Sequence, residues 1–576
     1  MTTTNREVFY RDPTDTKIPN DGVAKVIRPE TEQQWDVLRW ELRSFVCNGQ
    51  YARGLERILD SFIKNLTQSE QPAVWVSGFY GSGKSHLVRV LEHLWRDVDL
   101  PGGDRARELV SLPDDVGDHL VELSTEGKRN GGLWSAAGTL ASGKSDEVRI
   151  AFLSVLFEAA GLPEQYPLAR FMIWAKENGY LDHISEAVTQ AGRTLDKEIH
   201  DLYVSPLIAK ALLEVDPSLG DTVKDVRDLL KTQFPPTTRD IDRDEMLDVM
   251  ERVLAFQSTT DGKVPLTLIV LDEMQQYIGD DNEKAITVQL IAEDCSSRFE
   301  NQVLIVATGQ SALTATPTLQ KLTERFTVMV PLSDKDVESV IREVVLRKRP
   351  EFVPELKSTL EAVSGEIDKH LAGTQLAPKA ADKPDLVPDY PLLPTRRRFW
   401  ELALRAIDRA GKAGVLRTQL RIMHEAAARV AGKPIGHVVG ADFLYDEQAP
   451  GMLQSGVLLK EIDELIATMR TEGADGELKA RICGLVFLIS QLPTRTIGGE
   501  TGLRATAPFL ADLLVEDLAD DGAKLRKQVP EMLGILVKDG RLMRIDDYTG
   551  SRPKKEPNGR RSTAAALPPF ATTQAA

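Results

Sequence analysis

The sequence predicts an α/β protein: a parallel sheet flanked by helices, with a helical insertion, a helical lid and a C-terminal winged-helix-like domain. Three stretches predict it. Residues 71–89 run in the order strand, glycine loop, helix; residues 266–273 are an apolar run ending in two carboxylates; residues 303–310 repeat the apolar run and end in polar residues. Each reads as a core strand that delivers a loop to one edge of a parallel sheet.

The first stretch carries the most chemistry. Ala73, Val74, Trp75 and Val76 form a short β-prone run, and GFYGSGKS at 78–85 follows at once, matching the pattern GxxxxGK[ST]. Glycines let backbone N–H groups curl around an anion, and the helix N-terminus that follows adds a positive dipole end. Lys84 is expected to reach the β- and γ-phosphates of ATP, and the Ser85 hydroxyl to ligate Mg²⁺. Gly78, Tyr80, Gly81, Ser82, Gly83 and His86 complete the expected nucleotide cradle. A glycine-rich structural turn is the plainer alternative, and the strand before and helix after argue against it. The same pattern recurs at 138–145 (GTLASGKS), but the strand before it is weak and Asp146 and Glu147 open the helix after it. Carboxylates there would repel a triphosphate, so this second match is expected to be a turn between a core strand and a helix over 148–160.

Composition narrows the setting. The 576 residues allow three or four domains, and 42% hydrophobic with 27% charged residues is ordinary globular material. A net charge of −16 gives no general attraction to nucleic acid or anionic membrane. Cys47, Cys295 and Cys483 stand far apart without metal-ligand neighbours, which suits a reducing compartment. No leader-like or membrane-length apolar segment is visible, so a cytoplasmic location is expected, without membrane contact.

Five segments are expected along the chain. Residues 1–70 hold an extended piece and two helices, over 32–47 and 50–65. Tyr51 or Arg53 on the second could lie near an adenine, with a plain core role the simpler expectation. Residues 71–335 form the core, interrupted by a helical insertion at about 165–255. In it, Asp272 is expected beside Ser85, holding Mg²⁺ through water, and Glu273 polarises the attacking water. The strand over 303–307 should lie between the other two, so that Thr308, or failing it Gln310, faces the γ-phosphate. Arg325 precedes a short strand, where ring-forming ATPases place an arginine that reaches a neighbour's nucleotide; a solvent-exposed arginine is the alternative.

Residues 336–435 form the helical lid, with a loop over 371–389 and helices over 396–410 and 415–430. Arg417 and Arg421, one turn apart on the second, are candidates for contact with the triphosphate, or else pair with surface acids. Residues 436–550 are a linker, less regular over 436–470, and the winged-helix-like domain; 551–576 are a tail expected to be disordered. Lys524, Arg526 and Lys527 could touch DNA phosphates, yet residues 501–550 hold seven basic against nine acidic side chains, which favours a protein partner.

Phosphate loop, acidic strand, polar-ended strand, arginine and lid, in this order, resemble an AAA+ ATPase. More narrowly, VWVSGFYGSGKSHL at 74–87, YPLLPTRRRFW at 390–400 and LRTQLRIMHEA at 416–426 resemble the large P-loop ATPase of bacteriophage-exclusion (BREX) and phage-growth-limitation systems. The resemblance spans roughly residues 20–550. It implies an ATP- and Mg²⁺-dependent homo-oligomer that restricts phage DNA beside a phosphatase-like protein and a DNA methyltransferase. Members of that family are longer, so the resemblance implies a truncated form. An origin-recognition-like DNA loader is the alternative activity. A scaffold that binds nucleotide without hydrolysing it is a third, and intact Lys84, Asp272 and Glu273 speak against it.

Overall fold

A computed structural model describes residues 3–14, 26, 28–78, 82–140, 147–236, 241–333, 337–407, 416–493, 495–496, 499–545 and 564–566. Its contacts divide the chain into two units, one of residues 23–336 and one of residues 1–22 with 337–576.

The first unit is built on five parallel strands: β1 (Val74–Ser77), β2 (Leu133–Thr139), β3 (Leu266–Asp272), β4 (Val303–Gly309) and β5 (Val328–Pro331). Their order across the sheet is β2-β3-β4-β1-β5. Every residue of β3 and β4 is buried, as near-continuous apolar runs are when helices cover both faces. β4 lies between β3 and β1, with Val306 opposite both Val270 and Val74. The loops after β1, β3 and β4 therefore emerge side by side at one edge of the sheet. This is the parallel sheet flanked by helices that the sequence predicts.

Helices close the sheet in the manner their apolar spacing dictates. Helix α1 (Glu32–Ser44) starts at Thr31, whose hydroxyl accepts the Gln34 N–H. Helix α2 (Gly49–Asn65) buries Tyr51, Leu55, Ile58, Leu59 and Phe62 on one stripe. Helix α3 (Lys84–Arg96) runs straight out of the glycine loop. Helix α4 (Asp114–Arg129) precedes β2, and α5 (Val148–Ala160), buried almost all round, follows it. Between α5 and β3 the chain makes a helical excursion with its own core, in which Phe171, Ile184, Leu202, Leu212, Leu230 and Phe234 pack together. The returning helix Arg243–Gln257 rejoins the main core through Met246, Met250 and Val253.

The second unit is helical. The first residues of the chain belong to it, not to the helices that follow them: Asn5 donates to the carbonyls of Val430 and His437, and the Tyr390 hydroxyl donates to Asn5 Oδ1 at 2.5 Å. The helices expected near 396–410 and 415–430 are Pro394–Ile407 and Leu416–Val430. Residues 371–389, expected as a loop, contain the short helical turns Ala380–Asp385 and Leu386–Asp389. Residues 436–470, expected to be irregular, form the helices Phe443–Gln454 and Lys460–Arg470. Pro450-Gly451 reads as a turn in isolation, but burial of Leu444, Tyr445, Ala449 and Met452 holds the helix through it. Helices Gly473–Ser490, Ala507–Leu514 and Asp521–Lys538 follow, and Met543–Ile545 pairs antiparallel with Ala564–Ala566. Those last three residues fall within the expected tail; the rest of 551–576 lies outside the described residues. No described helix is long and apolar enough to cross a membrane.

Candidate nucleotide site

Gly78 leaves β1 with its N–H bonded to the Gly309 carbonyl at 3.2 Å, which ties the loop to the end of β4. A Cβ on Gly78 would stand 2.4 Å from Ser82 Oγ and 2.8 Å from the Leu332 carbonyl, so no side chain fits there. Gly83 ends the loop in the left-handed region, at φ +82°, directly before the first turn of α3. Ser82 is fully buried, and its Oγ has no hydrogen-bond partner among the described residues. Lys84 Nζ donates to the Gly78 carbonyl at 2.7 Å, folding back over the loop. Burial draws its ammonium below the ordinary value, and the carboxylates of Asp272 and Glu273 oppose that shift. Ser85 is half-buried one residue further on. Phe79, Tyr80 and Gly81 lie outside the described residues.

Opposite the loop, β3 delivers the acids. Asp272 is nearly buried, and Thr308, at the end of β4, donates its hydroxyl to Asp272 Oδ1 at 2.5 Å. The same hydroxyl oxygen accepts the Glu273 N–H at 2.9 Å. Thr308, expected to face the γ-phosphate, bonds both acidic residues through its one hydroxyl. Glu273 itself is exposed and sits at φ +54°, a conformation that a glutamate adopts only when its surroundings impose it. Gln275 steadies the neighbouring loop: its Oε1 accepts the N–H groups of Gln310 and Ser311 at 2.7 and 2.9 Å. Gln310, the second choice for the γ-phosphate, is exposed beside it.

The remaining candidates separate. The His86 ring turns to α1, where Nε2 meets the Glu41 carbonyl at 2.9 Å, so only its backbone faces the loop side; burial lowers its pKa. Arg325 is at the other end of the sheet: its carbonyl accepts the N–H of Ala73, the residue before β1. It cannot serve its own chain's loop. Its guanidinium pairs with Glu70 at 2.8 Å and Glu293 at 3.0 Å; burial works against its charge, but the two acids outweigh that and raise its pKa. In the second unit Arg421 pairs with Glu447, while the Arg417 side chain lies outside the described residues. The arginines of the 390–400 stretch are framework: Arg396 is buried and donates to the Val439 and Asp512 carbonyls, and Arg397 and Arg398 pair with Asp389 and Asp382.

The second glycine pattern begins at the end of β2, with Thr139 opposite Asp272. It leaves the same edge of the sheet, but from the outermost strand; residues 141–146 lie outside the described residues. The sequence suggests Tyr51 near an adenine or, more simply, in the core, and not against the glycine loop. Its hydroxyl donates to the Ser82 carbonyl at 2.8 Å, and nothing in its apolar stripe signals that bond.

These residues fit a nucleoside triphosphate with magnesium. A glycine cradle too tight for Cβ atoms, a buried hydroxyl with no partner among the described residues, one ammonium and two hard oxygen donors (Ser85 and Asp272) are the chemistry that phosphate and Mg²⁺ require. No known protein-family profile matches the chain. Among solved structures it is similar to that of the Aeropyrum pernix Orc1 protein in complex with DNA, at 12% identity, over 92% of each chain and with a TM-score of 0.28.

Proposed function

We propose that the chain is an ATP-binding and ATP-hydrolysing AAA+ switch or motor. One observation carries the reading: the Thr308 hydroxyl at the end of β4 bonds both Asp272 and Glu273 at the end of the neighbouring β3, at the sheet edge that also holds the glycine loop and Lys84. In this reading Lys84 and the loop N–H groups hold the phosphates, Ser85 and Asp272 hold the magnesium, and Glu273 orients the attacking water. Bound magnesium supplies positive charge to the phosphate oxygens. Arg325 reaches the site of another copy, because only another copy's loop is open to it.

Site substitutions test this. Lys84→Ala should weaken ATP binding itself. Glu273→Gln keeps shape but loses the carboxylate, so ATP should bind and persist while turnover falls by about 10²-fold or more. Lys144→Ala, in the second glycine pattern, should change neither. Wild-type turnover in Glu273→Gln would refute the assignment, and loss of ATP binding in Lys144→Ala would move the site to the other loop.

The resemblance of residues 74–87, 390–400 and 416–426 supports placing this activity in a phage-exclusion complex. Neighbouring genes for a methyltransferase and a phosphatase-like protein would support that setting; a replication origin beside the gene would favour the DNA-loading alternative. For direct DNA contact through Asp521–Lys538, Arg526 offers little, since it already pairs with Asp512 and Glu366.

A further inference from the structure

We propose that Tyr51 is a positioning residue for the phosphate loop, its hydroxyl holding the Ser82–Gly83 peptide in the orientation that turns the Gly83 N–H toward the anion. The inference rests on the ATP-binding reading above. In a trans peptide the carbonyl and the following N–H point in opposite directions. Tyr51 Oη donates to the Ser82 carbonyl at 2.8 Å, so that oxygen is held toward α2 and the Gly83 N–H is turned away from it. Without this bond the peptide could rotate. Its carbonyl oxygen would then face the phosphates, replacing an attraction with a repulsion.

A second observation places the hydroxyl against the loop. A Cβ built on Gly83 would stand 2.6 Å from Tyr51 Oη, so the tyrosine occupies the space that any side chain there would need. The loop's last glycine and this tyrosine are therefore matched in shape as well as joined by a hydrogen bond. The ring itself is firmly seated. Tyr51 is 4% exposed and meets Phe45 edge-on at 5.8 Å. Phe45 in turn meets His86, in the first turn of α3, at 5.2 Å. The hydroxyl thus works from a rigid ring, and little freedom is lost when it bonds.

Tyr51→Phe in the full chain removes the hydroxyl and keeps the ring. Affinities for ATP and for pyrophosphate are measured by calorimetry, with urea unfolding in the absence of ligand alongside. The expected result is about tenfold weaker binding of both ligands, by a similar factor, with an unfolding midpoint near that of the wild type. Unchanged affinity for both would overturn the proposal. So would a loss for ATP alone, which would put Tyr51 at the base, or a loss that merely follows a collapsed unfolding midpoint. Wild-type protein that binds neither ligand would overturn the ATP reading, and this inference with it.

Discussion

Gly309 ends β4 beneath the indole of Trp75, and a Cβ there would stand 2.1 Å from Trp75 Cζ2. The indole cannot retreat easily, because its N–H is bonded to the Ser311 carbonyl at 3.0 Å. Gly309→Ala should therefore overpack the sheet edge and destabilise the first unit by about 1–3 kcal/mol, measured as a lower urea midpoint at unchanged slope. Single residues of this kind mark the limit of sequence reading. Lys84, Ser85, Asp272 and Glu273 announce themselves by spacing and residue type. The bonds that orient them do not: Thr308 and Asp272 are 36 residues apart, and Tyr51 and Ser82 are 31. Those pairs meet only because β4 lies against β3 and α2 against the loop, which local spacing does not encode.

At the scale of elements, α3 is held in place by α1. Arg89 and Glu41 form an ion pair at 2.6 Å with both side chains 3% exposed. Glu41→Gln would leave the Arg89 charge buried with its acid gone, and the expected cost is about 3–5 kcal/mol by urea unfolding. Replacing both residues by apolar ones of similar volume should recover much of that, because neither charge then has to leave water. Elements were most legible where burial is two-sided. The runs of β3 and β4 could be little else, and the strand–loop–helix of β1 and α3 was equally plain. The helix Phe443–Gln454 was not, since Pro450 argues locally against it and only packing within the second unit argues for it.

For the whole molecule, the placement of Arg325 yields the strongest prediction. Glu70 and Glu293 are partly exposed partners, and pairs of that kind contribute only about 0–1 kcal/mol each, so the guanidinium can be released at small cost. The ATPase rate per chain is expected to rise with protein concentration. Arg325→Ala should lower turnover by about 10³-fold while leaving ATP affinity nearly intact. Mixing it with Glu273→Gln protein should restore part of the activity, since a mixed pair can join an intact Glu273 to an intact Arg325. A rate per chain independent of concentration, with no rescue, would instead make the chain a self-contained switch. The sheet has a further say in how copies can join. Its arginine stands at the edge where the strands begin and its loop at the edge where they end. Any row of chains joined this way has a direction, with an unmatched arginine at one terminus and an unmatched loop at the other. Only a closed circle, or two chains laid head to foot, leaves neither.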